Sequence, residues 1–402
     1  MKKVLVANLV DGNMFSQPVF IEGDNLFVPA GIAIRQKDID RLISWDIESV
    51  QTTGELVLAP PDNETAATPP ASSNATAKAI GKTLSKIAKQ APANEGPEDK
   101  GAHAVYMGLI ERMDEVCNSI ATGIAVEARS IDNISGRLLQ SVRDQRNSFI
   151  GFILGGEIKE YGMAKNLVNT AILSSLMAME LKLPNHKILQ VVTGALLHDV
   201  GMLRMPKEIV EKKGVLSPAE LQRIQAHTLY TYKIVNKELL YPEDVGTIVL
   251  QHHERWDGEG YPRRIAGPAI DLGARIVSVA DAFEAMVSQK PYRNPIMGYQ
   301  AMKNLLSDNL RRFDPNVIKA FIQTMGIYPI GSIVLLNNGA MARVTDVQAS
   351  APLRPTIRIL ADEFGNVHKQ DEGEIIDLLV EKSLFIAKAV NPKEMTSKSK
   401  NA

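Results

Sequence analysis

Seven histidines occur in this 402-residue chain, and four of them, His198, His227, His252 and His253, fall in one stretch of helical texture. Asp199 directly follows the first, the last two are adjacent, and Asp281 comes next in the apolar setting Val279-Ala280-Asp281-Ala282-Phe283. Imidazole together with carboxylate suits a divalent transition metal such as iron, manganese, nickel or zinc. A carboxylate placed like Asp199 can bridge two such ions about 3.5–4 Å apart, and the pair can acidify a shared water and clamp an attacked phosphate. Each piece alone has a plainer reading. A His-Asp dipeptide is weak evidence, and a histidine such as His227, after Gln225-Ala226, is usually a surface or capping residue. A His-His pair is most often one buried ring and one solvated ring, and Asp281 could be an ordinary hydrogen-bonded buried carboxylate. The joint pattern is what favours a metal centre.

Neighbouring residues on a helix point about 100° apart, so His252 and His253 reach one centre only at a helix end or corner. Gly258 and Gly260 supply such a corner. The surrounding chain reads as helical over 101–326. Tyr106, Leu109, Met113, Val116, Ile120 and Ile124 recur every three or four residues on one face. Further helices are expected near 163–181, 187–199, 218–238, 243–253, 273–287, 297–307 and 315–324, separated by turn signals such as Pro184-Asn185, Gly214, Pro242 and Pro315. Residues 1–58 alternate strand-like runs (Val4–Leu9, Pro18–Ile21, Leu26–Val28) with turns and one short helix, a small α/β module. Residues 59–100, with Pro60-Pro61, Pro69-Pro70 and much Ala, Thr, Ser and Asn, read as a low-complexity linker whose second half, Thr76–Gln90, has some helical character. Residues 327–391 form a small β appendage with strands at Ser332–Leu336, Met341–Val347, Thr356–Leu360 and Glu374–Leu379 and a hairpin turn at Asn338-Gly339; residues 392–402 are a polar tail. The fold class expected is therefore mainly α, an all-helical domain flanked by a small N-terminal α/β module and a small C-terminal β appendage.

Composition narrows the function. With 45% hydrophobic and 23% charged residues the chain can build a sizeable core, and a net charge of −1 gives no bulk attraction to a nucleic acid polymer or an anionic membrane. Phosphate binding must come from a local site. The single Cys117 excludes an internal disulfide and an all-thiolate zinc site and suits a reducing compartment. The run Val4–Val10 is broken by Asn8 and stops at Asp11, unlike a signal peptide, and no stretch approaches the roughly 18 apolar residues of a membrane span. A cytoplasmic protein is expected.

The run Gly194-Ala195-Leu196-Leu197-His198-Asp199-Val200-Gly201 resembles the HD superfamily signature. His252-His253-Glu254-Arg255-Trp256-Asp257-Gly258-Glu259-Gly260-Tyr261-Pro262 is close to the full signature of the HD-GYP family, and Ala274–Asp281 and Lys290-Pro291-Tyr292-Arg293 are again similar to it. The match runs from roughly 147 to 325. The resemblance implies an all-helical domain that hydrolyses cyclic di-GMP to the linear dinucleotide or GMP. It places His198, Asp199, His227, His252, His253 and Asp281 on metal-ligand positions, with Asp199 bridging two divalent transition metals. It places Lys290 and Arg293 where basic residues hold the ligand's phosphates, although a solvated charged turn explains them equally well. Gly260, Tyr261 and Pro262 fall on a loop beside the pocket.

Three positions depart from the family pattern. Asn166 stands where the first metal histidine is expected, and an amide oxygen is a poorer transition-metal ligand than imidazole. Gly162 replaces the glutamate of three-metal members, which implies two metals. Met202 replaces the lysine that follows His-Asp-x-Gly, and losing one positioned cation costs roughly 3 kcal/mol of transition-state stabilisation. Three functions stay open. One is a cyclic di-GMP phosphodiesterase and one a catalytically impaired cyclic di-GMP receptor. The third is an interaction module whose Gly260-Tyr261-Pro262 loop docks a diguanylate cyclase domain. The oligomeric state is open too.

Overall fold

The computed structural model describes residues 2–21, 25–28, 30–44, 47, 49–57, 97–155, 162–210, 212, 214–288, 296–307, 311–369 and 372–390. The helical tendency read at Thr76–Gln90, and most of the linker and tail, lie outside the described residues. The chain divides into two compact units, Met1–Ala77 and Lys78–Ala402.

In the first unit β1 (Lys2–Leu5), β5 (Ser49–Thr52), β3 (Val19–Ile21) and β4 (Asn25–Val28) lie side by side in that order, all antiparallel. A second pair joins β2 (Met14–Phe15) to β6 (Leu56–Val57). Helix α1 (Gln36–Ser44) buries Ile39 and Leu42, three residues apart on its inner face. The run Val4–Leu9 is not one strand. It breaks after Leu5 into a 3-10 turn over Val6–Asn8, because Val6 and Leu9 both point inward and a spacing of three fits a turn, not a pleat.

The second unit is built on helices sharing one apolar core that runs from Ala102 to Met325. In α2 (Pro97–Thr122) the expected stripe from Tyr106 to Ile120 is buried, but Ile124 is 63% exposed. The helix ends before it at Gly123, whose φ of 74° suits glycine as a helix terminator. Next come α3 (Ala128–Asp144), α4 (Arg146–Gly155), α5 (Gly162–Glu180) and α6 (Asn185–Leu197). Helix α5 is buried on nearly every side from Ala164 to Ala178, which makes it the central rod of the domain. The short α7 (Lys207–Val210) follows. The helix expected over 218–238 is three pieces, α8 (Pro218–Gln225), α9 (His227–Lys233) and a π turn at Ile234–Glu238. The domain closes with α10 (Glu243–Gln251), α11 (Leu272–Val287), α12 (Gly298–Ser307) and α13 (Pro315–Met325).

After α13 the chain forms a five-stranded antiparallel sheet from β7 (Ile333–Leu336), β8 (Met341–Asp346), β9 (Thr356–Ala361), β10 (Ile375–Asp377) and β11 (Ile386–Ala389), in the order β10-β9-β8-β7-β11. Gly339 adopts φ 92° in the β7–β8 hairpin, as the Asn-Gly signal requires. Strand β11 has no counterpart among the strands read from the sequence. The architecture is mainly helical, with small sheets at both ends.

Candidate metal centre

Five of the six candidate ligands sit where a helix begins or stops. His198 caps the C-terminus of α6, and Asp199, at φ −110° and ψ 3°, leaves helical geometry before a 3-10 turn over Val200–Arg204. His227 opens α9 after the break at Ala226. His252 caps α10 and His253 follows in the turn, their ring centroids 4.0 Å apart, so the corner needed by adjacent histidines is present. Asp281 instead projects from the body of α11. Close packing sets these ends. A Cβ on Gly201 would lie 2.4 Å from the His227 carbonyl and 2.6 Å from both the backbone nitrogen and Oγ1 of Thr231.

Three rings share one device. His198 Nδ1 lies 2.8 Å from the Ala195 carbonyl, His227 Nδ1 2.7 Å from Ile224, and His252 Nδ1 2.8 Å from Val249, each three residues back. Each ring donates from Nδ1 to a carbonyl at the end of the helix that stops beside it and turns Nε2 toward the centre, the outer-sphere arrangement that orients metal-binding histidines.

The three Nε2 atoms converge on Asp199. Oδ1 lies 3.1 Å from His227 Nε2 and 3.5 Å from His252 Nε2, while Oδ2 lies 3.6 Å from His198 Nε2. His198 Nε2 is also 3.6 Å from Asp281 Oδ1. One ligand atom each from Asp199, His227, His252 and His253 falls within 4.8 Å of the others. Asp199 Oδ1, His227 Nε2 and His252 Nε2 are buried and have no hydrogen-bond partner. With the ring protons committed at Nδ1, lone pairs face lone pairs, an arrangement that costs free energy unless a cation sits among them. The donor set therefore fits divalent metal, and Asp199 presents one oxygen to each side.

The electrostatics match that reading. Burial works against the charged form of His198, but the carboxylates of Asp199 and Asp281 prevail and its pKa is pushed up to about 9. Burial likewise opposes the ionised Asp199, yet the facing imidazoles hold it well below the usual carboxylate range. Asp281 is lowered against its burial by its bond to His198. Burial depresses His252, and His253 is driven down by burial and then by its neighbour His252, so both rings stay neutral and available as ligands.

The Gly-Tyr-Pro loop closes one side. The Tyr261 ring lies 4.8 Å from His253 and 6.3 Å from His227, and Tyr261 N donates to the His253 carbonyl. Gly260 must be glycine, since a Cβ would meet Arg255 N at 2.4 Å. Glu254, 3% exposed, accepts from the backbone nitrogens of Arg263 at 2.6 Å and Arg264 at 3.1 Å and so anchors the chain beyond Pro262. Glu254 was not singled out from the sequence, although its place beside His253 in the motif was a signal for it. Nothing in the sequence pointed to the carbonyls of Ala195, Ile224 and Val249.

Among the divergent positions, Gly162 is exposed at the start of α5, Asn166 is half-buried about one turn further, and Met202 is half-buried in the turn after Asp199, its N–H donating to the Asp199 carbonyl. Lys290 and Arg293 lie outside the described residues.

Fold and site together define an HD-domain protein. The HD-domain family model matches residues 157–317, and a KOW domain associated with HD domains matches residues 333–398, the region of the C-terminal sheet. The chain is 30% identical over 228 residues to the cyclic di-GMP phosphodiesterase PdeB of Borreliella burgdorferi, 57% of this chain and 60% of the relative. It is 28% identical over 237 residues to a cyclic di-GMP phosphodiesterase of Pseudomonas aeruginosa, 59% of this chain and 57% of the relative. Over 128 residues it is 34% identical to a 3'3'-cGAMP-specific phosphodiesterase of Vibrio cholerae, 32% of this chain and 24% of the relative. The chain thus spans less than two thirds of these curated relatives. Residues 157–317 are an HD domain, and the HD-GYP-like signature at His252–Pro262 lies within it. Among the described residues no helix is long and apolar enough to cross a membrane.

Proposed function

We propose that the helical domain is a metal-dependent phosphodiesterase acting on a cyclic dinucleotide, with cyclic di-GMP the leading substrate and the linear dinucleotide or GMP the product. One observation carries this reading: the carboxylate of Asp199 stands between three inward Nε2 atoms with its buried lone pairs unsatisfied. His198, Asp199 and Asp281 would hold one ion, and Asp199, His227, His252 and His253 a second. Gly162 offers no carboxylate for a third. Such ions supply a nucleophile at neutral pH and neutralise charge developing on the attacked phosphate.

The chain's own residues do the rest. The Nδ1 bonds to helix-end carbonyls hold the imidazoles in one orientation, which limits the reorganisation needed when ligands bind. Tyr261 walls the centre beside His253, and Gly260 and Pro262 bring it there. Lys290 and Arg293 are assigned to the substrate's phosphates. The single buried Cys117 accords with a reducing cytoplasm. A receptor that binds cyclic di-GMP without turnover is the second reading, favoured by Asn166 and Met202; docking of a diguanylate cyclase domain through the Gly-Tyr-Pro loop is the third.

The test is anaerobic reconstitution of the full chain with iron or manganese, followed by metal analysis and turnover of cyclic di-GMP and 3'3'-cGAMP. Two ions per chain with hydrolysis are expected. Two ions with tight nucleotide binding and no hydrolysis would establish the receptor, and no binding of either nucleotide would sink both readings.

A further inference from the structure

A phosphodiester brought to this centre carries charge that metal ions on one side do not fully meet, and position 202 supplies no cation. The arginines around the loop differ sharply in how far their charge is already committed. Arg255 is forked onto Asp257 at 2.6 and 3.1 Å and lies 3.4 Å from Glu259. Arg275 is paired with Asp314 at 2.6 Å. Arg312 forms no ion pair among the described residues, and its Nε is buried without a hydrogen-bond partner. We propose that Arg312 holds a non-bridging phosphate oxygen of the cyclic dinucleotide at the metal centre, a proposal that rests on the phosphodiesterase reading above.

The placement is firm. The Arg312 carbonyl accepts from Trp256 N at 2.8 Å, which ties this turn to the segment running into the Gly-Tyr-Pro loop. Two residues on, Asp314 binds Arg275 of α11, the helix that carries Asp281. The guanidinium lies over the buried Phe313 ring at 5.0 Å, which limits its swing. Burial and the charge of Arg255 act to discharge Arg312, while Asp281, Tyr261 and Asp257 are near enough to act the other way. A half-buried cation without a counter-ion is costly, and such costs are found where an anion is to be received. The guanidinium fork suits two phosphate oxygens at once. A purely structural role, stacking on Phe313, makes a different prediction.

The experiment compares Arg312→Gln and Arg312→Lys with the natural full chain. Readouts are equilibrium binding of cyclic di-GMP to metal-depleted protein at several salt concentrations, KM and kcat of the loaded protein, metal content and thermal stability. For Arg312→Gln we expect roughly tenfold weaker binding or more, with a matching rise in KM. The salt dependence of binding should flatten by about one charge. Metal content and melting temperature should hold, and Arg312→Lys, which keeps the charge but loses the fork, should recover part of the affinity. Binding and KM within twofold of the natural chain in Arg312→Gln would overturn the proposal while leaving the phosphodiesterase reading intact. Equal losses in both variants accompanied by lower melting temperatures would overturn it in favour of the stacking role. A natural chain that neither binds nor hydrolyses cyclic di-GMP would remove the phosphodiesterase reading and this proposal together.

Discussion

Gly201→Ala is a one-carbon change beside the centre that touches no candidate ligand side chain. The added Cβ would lie 2.4 Å from the His227 carbonyl oxygen and 2.6 Å from Thr231 N and Oγ1. Two of these atoms are backbone, so neither can rotate away, and either the 3-10 turn or the start of α9 must move. Overpacking of this kind costs about 1–3 kcal/mol. The Gly201 N–H to Thr231 Oγ1 bond at 3.0 Å is disturbed as well, worth about 1 kcal/mol. A total near 3 kcal/mol lowers the melting temperature of a domain this size by roughly 6–12 °C. Displacing His227 should also weaken metal binding by about tenfold or more, the usual scale for losing an orienting contact around a ligand. Gly136→Ala in α3 is the control: a Cβ there meets nothing within 4 Å, so the helix should gain roughly 0.5–1 kcal/mol. The assays are calorimetric melting and competitive metal titration against a chelator. If Gly201→Ala melts and binds metal like the natural chain, close packing of the turn on His227 is not what places the ring, and the argument for the site's rigidity fails.

Three further outcomes are expected. Asp199→Ala should abolish metal binding and hydrolysis while helical circular dichroism persists, because the apolar core does not depend on this side chain; metal retained at full stoichiometry would refute the bridging assignment. Metal must displace a proton from His198, whose metal-free pKa is raised to about 9, whereas His252 and His253 are already neutral. Apparent metal affinity should therefore climb roughly tenfold per unit from pH 7 and level off above about 9; the same protonated His198 stabilises the metal-free fold fully below about pH 6.5 and ceases to do so as pH rises through 9. An affinity flat between pH 7 and 9 would contradict this. Asn166→His with Met202→Lys should raise cyclic di-GMP turnover at least about tenfold if the natural enzyme is impaired at those positions; unchanged turnover with both metals bound would point to the receptor.

Much of the centre was legible because its residues are chemically uncommon in combination: histidines, aspartates and glycines whose order alone marks a site. The corner at His252-His253 followed from helix geometry, and the buried stripe from Tyr106 to Ile120 followed from its period. Periodicity continued too far in two places. It ran through Gly123 to Ile124, and it joined 218–238 into one helix, although Ser217 and Glu220 form a capping box that starts a short α8 and the chain breaks again at Ala226. Gly123 and the capping box are local signals that the apolar period overrode, whereas the close approach of Gly201 to His227 and Thr231 just past Ala226 is one that a local window does not contain. Arg312 was illegible for the same reason. Nothing in its local sequence marks it, and its carbonyl is tied to Trp256 N in a distant part of the chain.

His198, His227 and His252 each bind a carbonyl of the helix that ends beside them, so three separate rods are indexed to one point where they end. One residue inserted within α6 or α10 would turn the terminal ring by about 100° and carry it 1.5 Å along the axis, out of reach of Asp199. Residues added in the connection between α7 and α8 leave both indexed ends where they are. The domain can thus lengthen its loops freely over evolutionary time while its helices are held to fixed counts, and the centre acts as the gauge against which those counts are kept.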